Sequence, residues 1–173
     1  KTSLIMQVLA ENHFHGIRVD LLFALSYEDV AKIMAVNLSN LLMSLLPKAE
    51  AAKKKIIASV SLLSPRLIFN VFGQKLELNF KQASEQTISD LLLVMDQVAS
   101  KSNKKAVIVF DEFQQIGGLD KSHAIEAAIR HAVEQSENVS YIFCGSKRHM
   151  LNEMFSNKSR PLYHLCDLMK IDR

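Results

Sequence analysis

At 173 residues the chain is long enough for one domain that buries about 70% of the surface of its unfolded form. Apolar residues at 49% exclude a disordered chain, and a net charge of +3, from 21 Lys and Arg against 18 Asp and Glu, does not argue for nucleic acid or an anionic membrane surface. No apolar run reaches the roughly 18 residues of a membrane span, and Cys144 and Cys166 form neither a disulfide framework nor a paired zinc motif, so a reducing, cytoplasmic setting is expected. The first residue is Lys rather than Met, which suggests a start part-way through a longer gene product.

In chain order, Leu4, Ile5, Val8 and Leu9 stand at helical spacing, so residues 1–11 read as a helix that Gly16 breaks. Residues 17–23 alternate Arg18 and Asp20 against Ile17, Val19 and Leu21, the pattern of a first strand. Ser26-Tyr27-Glu28-Asp29 resembles a capping box, and Val30, Met34, Leu38, Leu41 and Leu45 continue a helix to about Leu46, where Pro47 stops it. Residues 48–63 read as another helix, with Lys53, Lys54 and Lys55 on a solvent-facing side. Within 67–80 the period changes to two, with Gly73-Gln74 placed as a turn, which predicts a small hairpin inserted between helices. A helix over 84–100 follows, with Ile88, Leu91, Leu92, Met95 and Val98 on one face. Residues 106–110 form an unbroken β-branched and aromatic run suited to a strand buried on both faces of a parallel sheet. A helix stripe from Ile125 to Val133, a strand over 139–144 and a short helix around Met150 to Phe155 complete the chain. The alternation predicts a three-layer α/β domain with a mainly parallel sheet.

The chemistry concentrates at Val107-Ile108-Val109-Phe110-Asp111-Glu112-Phe113-Gln114. A buried strand ending in two carboxylates sets them at the carboxyl edge of the sheet, where α/β proteins bind ligands. Asp111 then suits a Mg²⁺ ion and Glu112 an attacking water, although a strand that ends in a polar turn has the same spelling. Lys1-Thr2-Ser3-Leu4 is what remains of a Gly-x-x-x-x-Gly-Lys-Thr loop cut before its lysine. In that reading Lys1 reaches the β- and γ-phosphates and Thr2 coordinates Mg²⁺ through its hydroxyl; the alternative is a helix that starts there for capping alone. His13 and His15 lack a third metal ligand, and Cys144 reads as a buried core residue rather than a nucleophile.

These pieces resemble the archaeal-type P-loop ATPases of prokaryotes, a branch close to STAND and Orc-like AAA+ proteins. The resemblance is carried by Lys1-Thr2-Ser3-Leu4, Arg18-Val19-Asp20-Leu21 with Ser26-Tyr27-Glu28-Asp29, Val107 to Gln114, Tyr141-Ile142-Phe143-Cys144-Gly145-Ser146 and Arg160-Pro161-Leu162-Tyr163. It implies ATP and Mg²⁺ as cofactors. It makes Lys1 and Thr2 the end of Walker A, Asp111 the Mg²⁺-side carboxylate of Walker B, Glu112 the residue that positions water, and Ser146 the polar sensor near the γ-phosphate. The chain departs from the family pattern in two places. The glycines of the loop are absent, and His164-Leu165 stands where the family has Gly-Arg, which leaves Arg160 or Arg148 as substitutes for that arginine.

The family's sheet order, five-one-four-three-two, implies that the strands at Ile17, Ala106 and Val139 are neighbours without the first strand and the lid. It also implies an open edge on the Val139 strand, to which another chain or the tail near Leu168 to Ile171 could add. The function implied is an ATP-hydrolysing domain, incomplete as given, with no measurable ATP binding expected from these 173 residues alone. The alternatives are a signalling or scaffold module that hydrolyses nothing, and a DNA-associated loader.

Overall fold

The computed structural model describes residues 2–64, 67–72, 75–80 and 85–169, with backbone alone at 71–72, 75–80 and 85. Helix α1 (Thr2–Glu11) leads into strand β1 (His15–Asp20), followed by α2 (Tyr27–Leu45) and α3 (Glu50–Leu63). Strands β2 (Leu67–Phe72) and β3 (Lys75–Phe80) come next, then α4 (Glu85–Lys101), β4 (Ala106–Asp111), a 3-10 turn (Phe113–Gly118), α5 (Ser122–Gln135), β5 (Val139–Phe143) and α6 (Arg148–Ser156).

Strand β4 lies between β1 and β5, and all three run parallel. The register sets Ile17 opposite Ile108, Asp20 opposite Asp111 and Ile108 opposite Tyr141. Helices cover both sides of this sheet, so the α/β class and the neighbourhood of the three strands are as expected. The centre goes to the run with no polar interruption: Ala106, Ile108, Val109 and Phe110 are all buried. Phe110 stacks on Phe143 at a centroid distance of 5.5 Å, and Phe113 and Phe155 complete an aromatic cluster. Burying one such ring contributes on the order of 2 kcal/mol.

The helices follow their apolar stripes. In α2, Ser26 accepts the Asp29 N–H at 3.1 Å while the Asp29 carboxylate reaches back to the Leu25 N–H at 3.2 Å, a capping box with aspartate in the third position. Val30, Met34, Leu38, Leu41, Leu42 and Leu45 on this helix are buried against β1, β3 and α4. Helix α4 buries Ile88, Leu91, Leu92, Met95 and Val98, and its Asp96 accepts the backbone N–H groups of Glu137, Asn138 and Val139 at 3.0, 2.6 and 3.0 Å. One carboxylate thus aligns the entry to β5.

Four details differ from the sequence-based expectation. The first helix ends in a turn that places His13 at φ 57°, and Gly16 lies inside β1, where a β-carbon would stand 2.9 Å from Leu9 Cδ1. Strand β1 starts and stops earlier than 17–23: the Leu21 N–H makes the last ladder bond, to the Asp111 carbonyl, and the chain then turns with Ala24 N–H bonded to Leu21 O. Lys53 is buried rather than solvent-facing like Lys54 and Lys55, since it shares a helix face with the buried Val60 and ends beside Glu50 at 3.6 Å. Finally, Leu168 and Met169 do not add to the outer edge of β5, which is open, as expected, among the described residues.

The hairpin β2–β3 is antiparallel, with Leu67 opposite Phe80, and it leans on α2 through β3. Its expected turn at Gly73-Gln74 lies outside the described residues, as do Lys1 and Ile171. No helix among the described residues is long and apolar enough to cross a membrane.

Candidate functional site at the carboxyl edge of the parallel sheet

Because the three strands are parallel, their carboxyl ends meet at one edge. Asp20 ends β1, Asp111 ends β4, and Gly145-Ser146 follows β5 there. The first turn of α1 comes to the same edge: Thr2 Oγ1 donates to Asp111 Oδ1 at 2.8 Å, joining residues 109 apart in sequence. The Glu112 N–H donates to the same oxygen at 3.0 Å.

Glu112 adopts a left-handed backbone, φ 51° and ψ 37°, a conformation that costs a non-glycine residue about 1 kcal/mol or more. The fold holds it there from both sides. Cys144 N–H bonds to Phe110 O at 2.7 Å and Phe113 N–H to Cys144 O at 2.9 Å, while the Phe113 ring is fully buried. The reversal therefore leaves two consecutive carboxylates at the edge of the sheet and drops the next side chain into the core.

Asp111 is nearly buried, with 6% of its surface exposed, and both of its oxygens are in use. Oδ1 takes Thr2 and the Glu112 N–H, and Oδ2 takes the Arg18 guanidinium at 2.6 Å. Arg18 also reaches Asp20 Oδ2 at 2.7 Å. Glu112 is held by two neutral donors on Oε2: the Gln114 side-chain amide and, at 2.9 Å, the Ser146 hydroxyl. Gln114 is buried, and its amide oxygen, without a partner among the described residues, fills the space a β-carbon at Gly145 would need. Leu151 Cδ1 lies 3.0 Å from that same point, so Gly145 is required by close approach.

The Cys144 thiol beside this cluster is pushed up, first by burial and then by the Asp111 charge. It is half-buried rather than the buried core residue expected from the sequence, and the upward shift keeps it a thiol. Among the described residues no three His, Cys, Asp or Glu side chains gather to hold a metal, and His13 and His15 form no such site.

Of the residues named from sequence, the structure joins Thr2 to Asp111 and Ser146 to Glu112; Lys1 lies outside the described residues. Arg160 is committed elsewhere: it pairs with the buried Glu126 on α5 and contacts His123 Nε2 at 3.3 Å. Arg148 is an exposed residue at the start of α6. Sequence reasoning assigned no role to Arg18 or Gln114. Arg18 becomes visible only once the β1–β4 register is known, and Gln114 only once the 3-10 turn brings it back over Glu112.

Hard oxygen donors suit Mg²⁺, and Thr2 uses its hydroxyl proton on Asp111, which leaves the lone pairs of Oγ1 for a cation. A carboxylate fixed at two points beside it suits the orientation of a water. Neither a comparison with protein-family models nor one with curated proteins finds a match for this chain.

Proposed function

We propose that this edge is the Mg²⁺-nucleotide half-site of a P-loop ATPase of the AAA+/STAND-like kind, acting in the cytoplasm. The observation that carries the reading is the Thr2–Asp111 hydrogen bond at 2.8 Å. A hydroxyl at the start of a helix and a carboxylate at the end of a parallel strand are the two protein ligands such a cation takes.

In this reading Thr2 and Asp111 hold Mg²⁺, which when bound neutralises charge on the β- and γ-phosphates. Lys1 belongs beside those phosphates by its place next to Thr2. Glu112 orients the attacking water and accepts its proton, while Gln114 and Ser146 fix the carboxylate in place. Ser146, which follows β5 and bonds to Glu112, is in this reading the hydroxyl that reports the γ-phosphate. The catalytic contribution is positioning and electrostatics, with no covalent intermediate on the protein.

The test separates a hydrolase from a passive nucleotide switch. In the full-length protein, Glu112→Gln is expected to retain Mg-ATP binding and to lose turnover by about 10²- to 10⁴-fold, the usual worth of a positioned base. Turnover that survives the substitution would remove Glu112 from the mechanism; the absence of turnover in the wild type would favour the switch.

A further inference from the structure

Arg18 lies in the middle of this site and is unaccounted for by the reading above. Parallel register sets Asp20 beside Asp111, and Arg18, two residues before Asp20, leaves the same face of β1. Its guanidinium spans the two carboxylates, at 2.7 Å from Asp20 Oδ2 and 2.6 Å from Asp111 Oδ2. Asp111 Oδ1 already accepts two donors, so Oδ2 is the oxygen with capacity for a cation, and Arg18 occupies it. The positive charge the guanidinium places there opposes a second cation.

The arginine is also open to water. Its side chain is 45% exposed while that of Asp111 is 9% exposed, and its other partner, Asp20, lies at the rim with 43% exposure. Release from Asp111 therefore leaves Arg18 paired to Asp20 and hydrated. The Arg160 side chain beside Glu126 is, by contrast, only 11% exposed.

We propose that Arg18 is the resident counter-ion of Asp111 and that a divalent cation binds by displacing it onto Asp20, so that guanidinium and metal alternate at Asp111 Oδ2. This rests on the cation-site reading of Thr2 and Asp111. It adds a regulatory element to it: any contact that draws Arg18 outward opens the site, and any that presses it inward closes it.

Mn²⁺ alone, followed by electron paramagnetic resonance on the full-length protein without nucleotide, tests the exchange. Arg18→Gln is expected to bind Mn²⁺ about tenfold more tightly than the wild type, a change equivalent to about 1.4 kcal/mol, and Asp111→Asn to abolish binding in both backgrounds. In a calcium- and magnesium-free buffer Arg18→Gln should melt lower than the wild type and regain more on adding Mg²⁺, because its nearly buried carboxylate has lost its partner. Equal or weaker Mn²⁺ binding in Arg18→Gln, with Asp111→Asn still abolishing it, overturns the displacement and leaves the cation site standing. Mn²⁺ binding indifferent to Asp111→Asn, or absent throughout, overturns both. Should Arg18→Gln fail to fold, the wild type supplies the answer through the side-chain ¹⁵N resonances of Arg18: movement on Mg²⁺ addition supports the exchange, and fixed resonances in a protein that binds Mg²⁺ refute it.

Discussion

Asp111 and Glu126 each face an arginine, and the two pairs differ in how far water reaches them. Arg18 is 45% exposed beside Asp111, whereas Arg160 is 11% exposed beside a Glu126 side chain that is entirely buried. At the sheet edge both Asp111 oxygens have partners, and one of those partners, Arg18, is open to solvent. On α5 the dry pair leaves Glu126 Oε2 and Arg160 Nε without partners among the described residues, and burial pushes the Glu126 carboxyl up to about 7 against the opposing pull of Arg160. Glu153 on α6 pushes in the same direction as burial. A pair that can exchange is suited to a ligand; a pair sealed from water is suited to fastening. Arg160 and Arg130 together fasten the segment after α6: Arg130 donates to the carbonyls of Pro161 and Tyr163 at 2.7 and 3.0 Å.

The largest effect expected from breaking this contrast is at the sealed pair. Arg160→Met leaves Glu126 buried without its counter-charge, and a loss of about 3–5 kcal/mol is expected by chemical denaturation at alkaline pH. The loss should shrink toward acid, because a neutral Glu126 needs no partner. The sign follows from linkage: a carboxyl raised from 4.5 to about 7 in the folded state contributes stability below 4.5 that fades as pH rises through about 7. A loss that does not vary with pH would show that Glu126 stays ionised throughout.

A smaller effect sharpens the open side of the comparison. Gly145→Ala places a β-carbon where the Gln114 amide oxygen sits, with Leu151 too close to allow an easy shift. The cost in stability is expected to be about 1–3 kcal/mol. The more telling consequence is functional, since Gln114 would release Glu112. Turnover should fall while Mg-ATP affinity holds, and a parallel fall in both would mean that the alanine disturbs the whole edge.

Much of the fold is legible in the sequence where one physical term dominates. The run at 106–110 announces a buried parallel strand because no polar residue interrupts Ala106 to Phe110, and the stripe from Val30 to Leu45 announces α2 because every third or fourth residue must be apolar to line the core. Asp111-Glu112 is legible for the same reason: it is the first polar pair after a buried strand. The run at 139–144, expected to be as buried, lies at the edge of the sheet, where Ser140 is exposed and Tyr141, Ile142 and Phe143 are half-buried. What was hidden depends on register and local backbone. Arg18 spells an exposed strand residue until Asp20 is set beside Asp111, and Gln114 spells a polar turn until the left-handed Glu112 folds it back. Lys53 misleads because three consecutive lysines suggest one wet face, although a helix turns 100° per residue and gives the first of them to the side of Val60.

The proposed nucleotide site requires Thr2 and Asp111 to hold one cation between them. Thermal melting of the full-length protein with Mg-ATP, with Mg²⁺ alone and with ATP in a chelator tests it directly. The expected result is a rise with Mg-ATP that exceeds either single addition, worth about 2.7 kcal/mol at a hundredfold excess over Kd, and that disappears in Asp111→Asn. No rise in the wild type, or a rise that Asp111→Asn leaves intact, would contradict it.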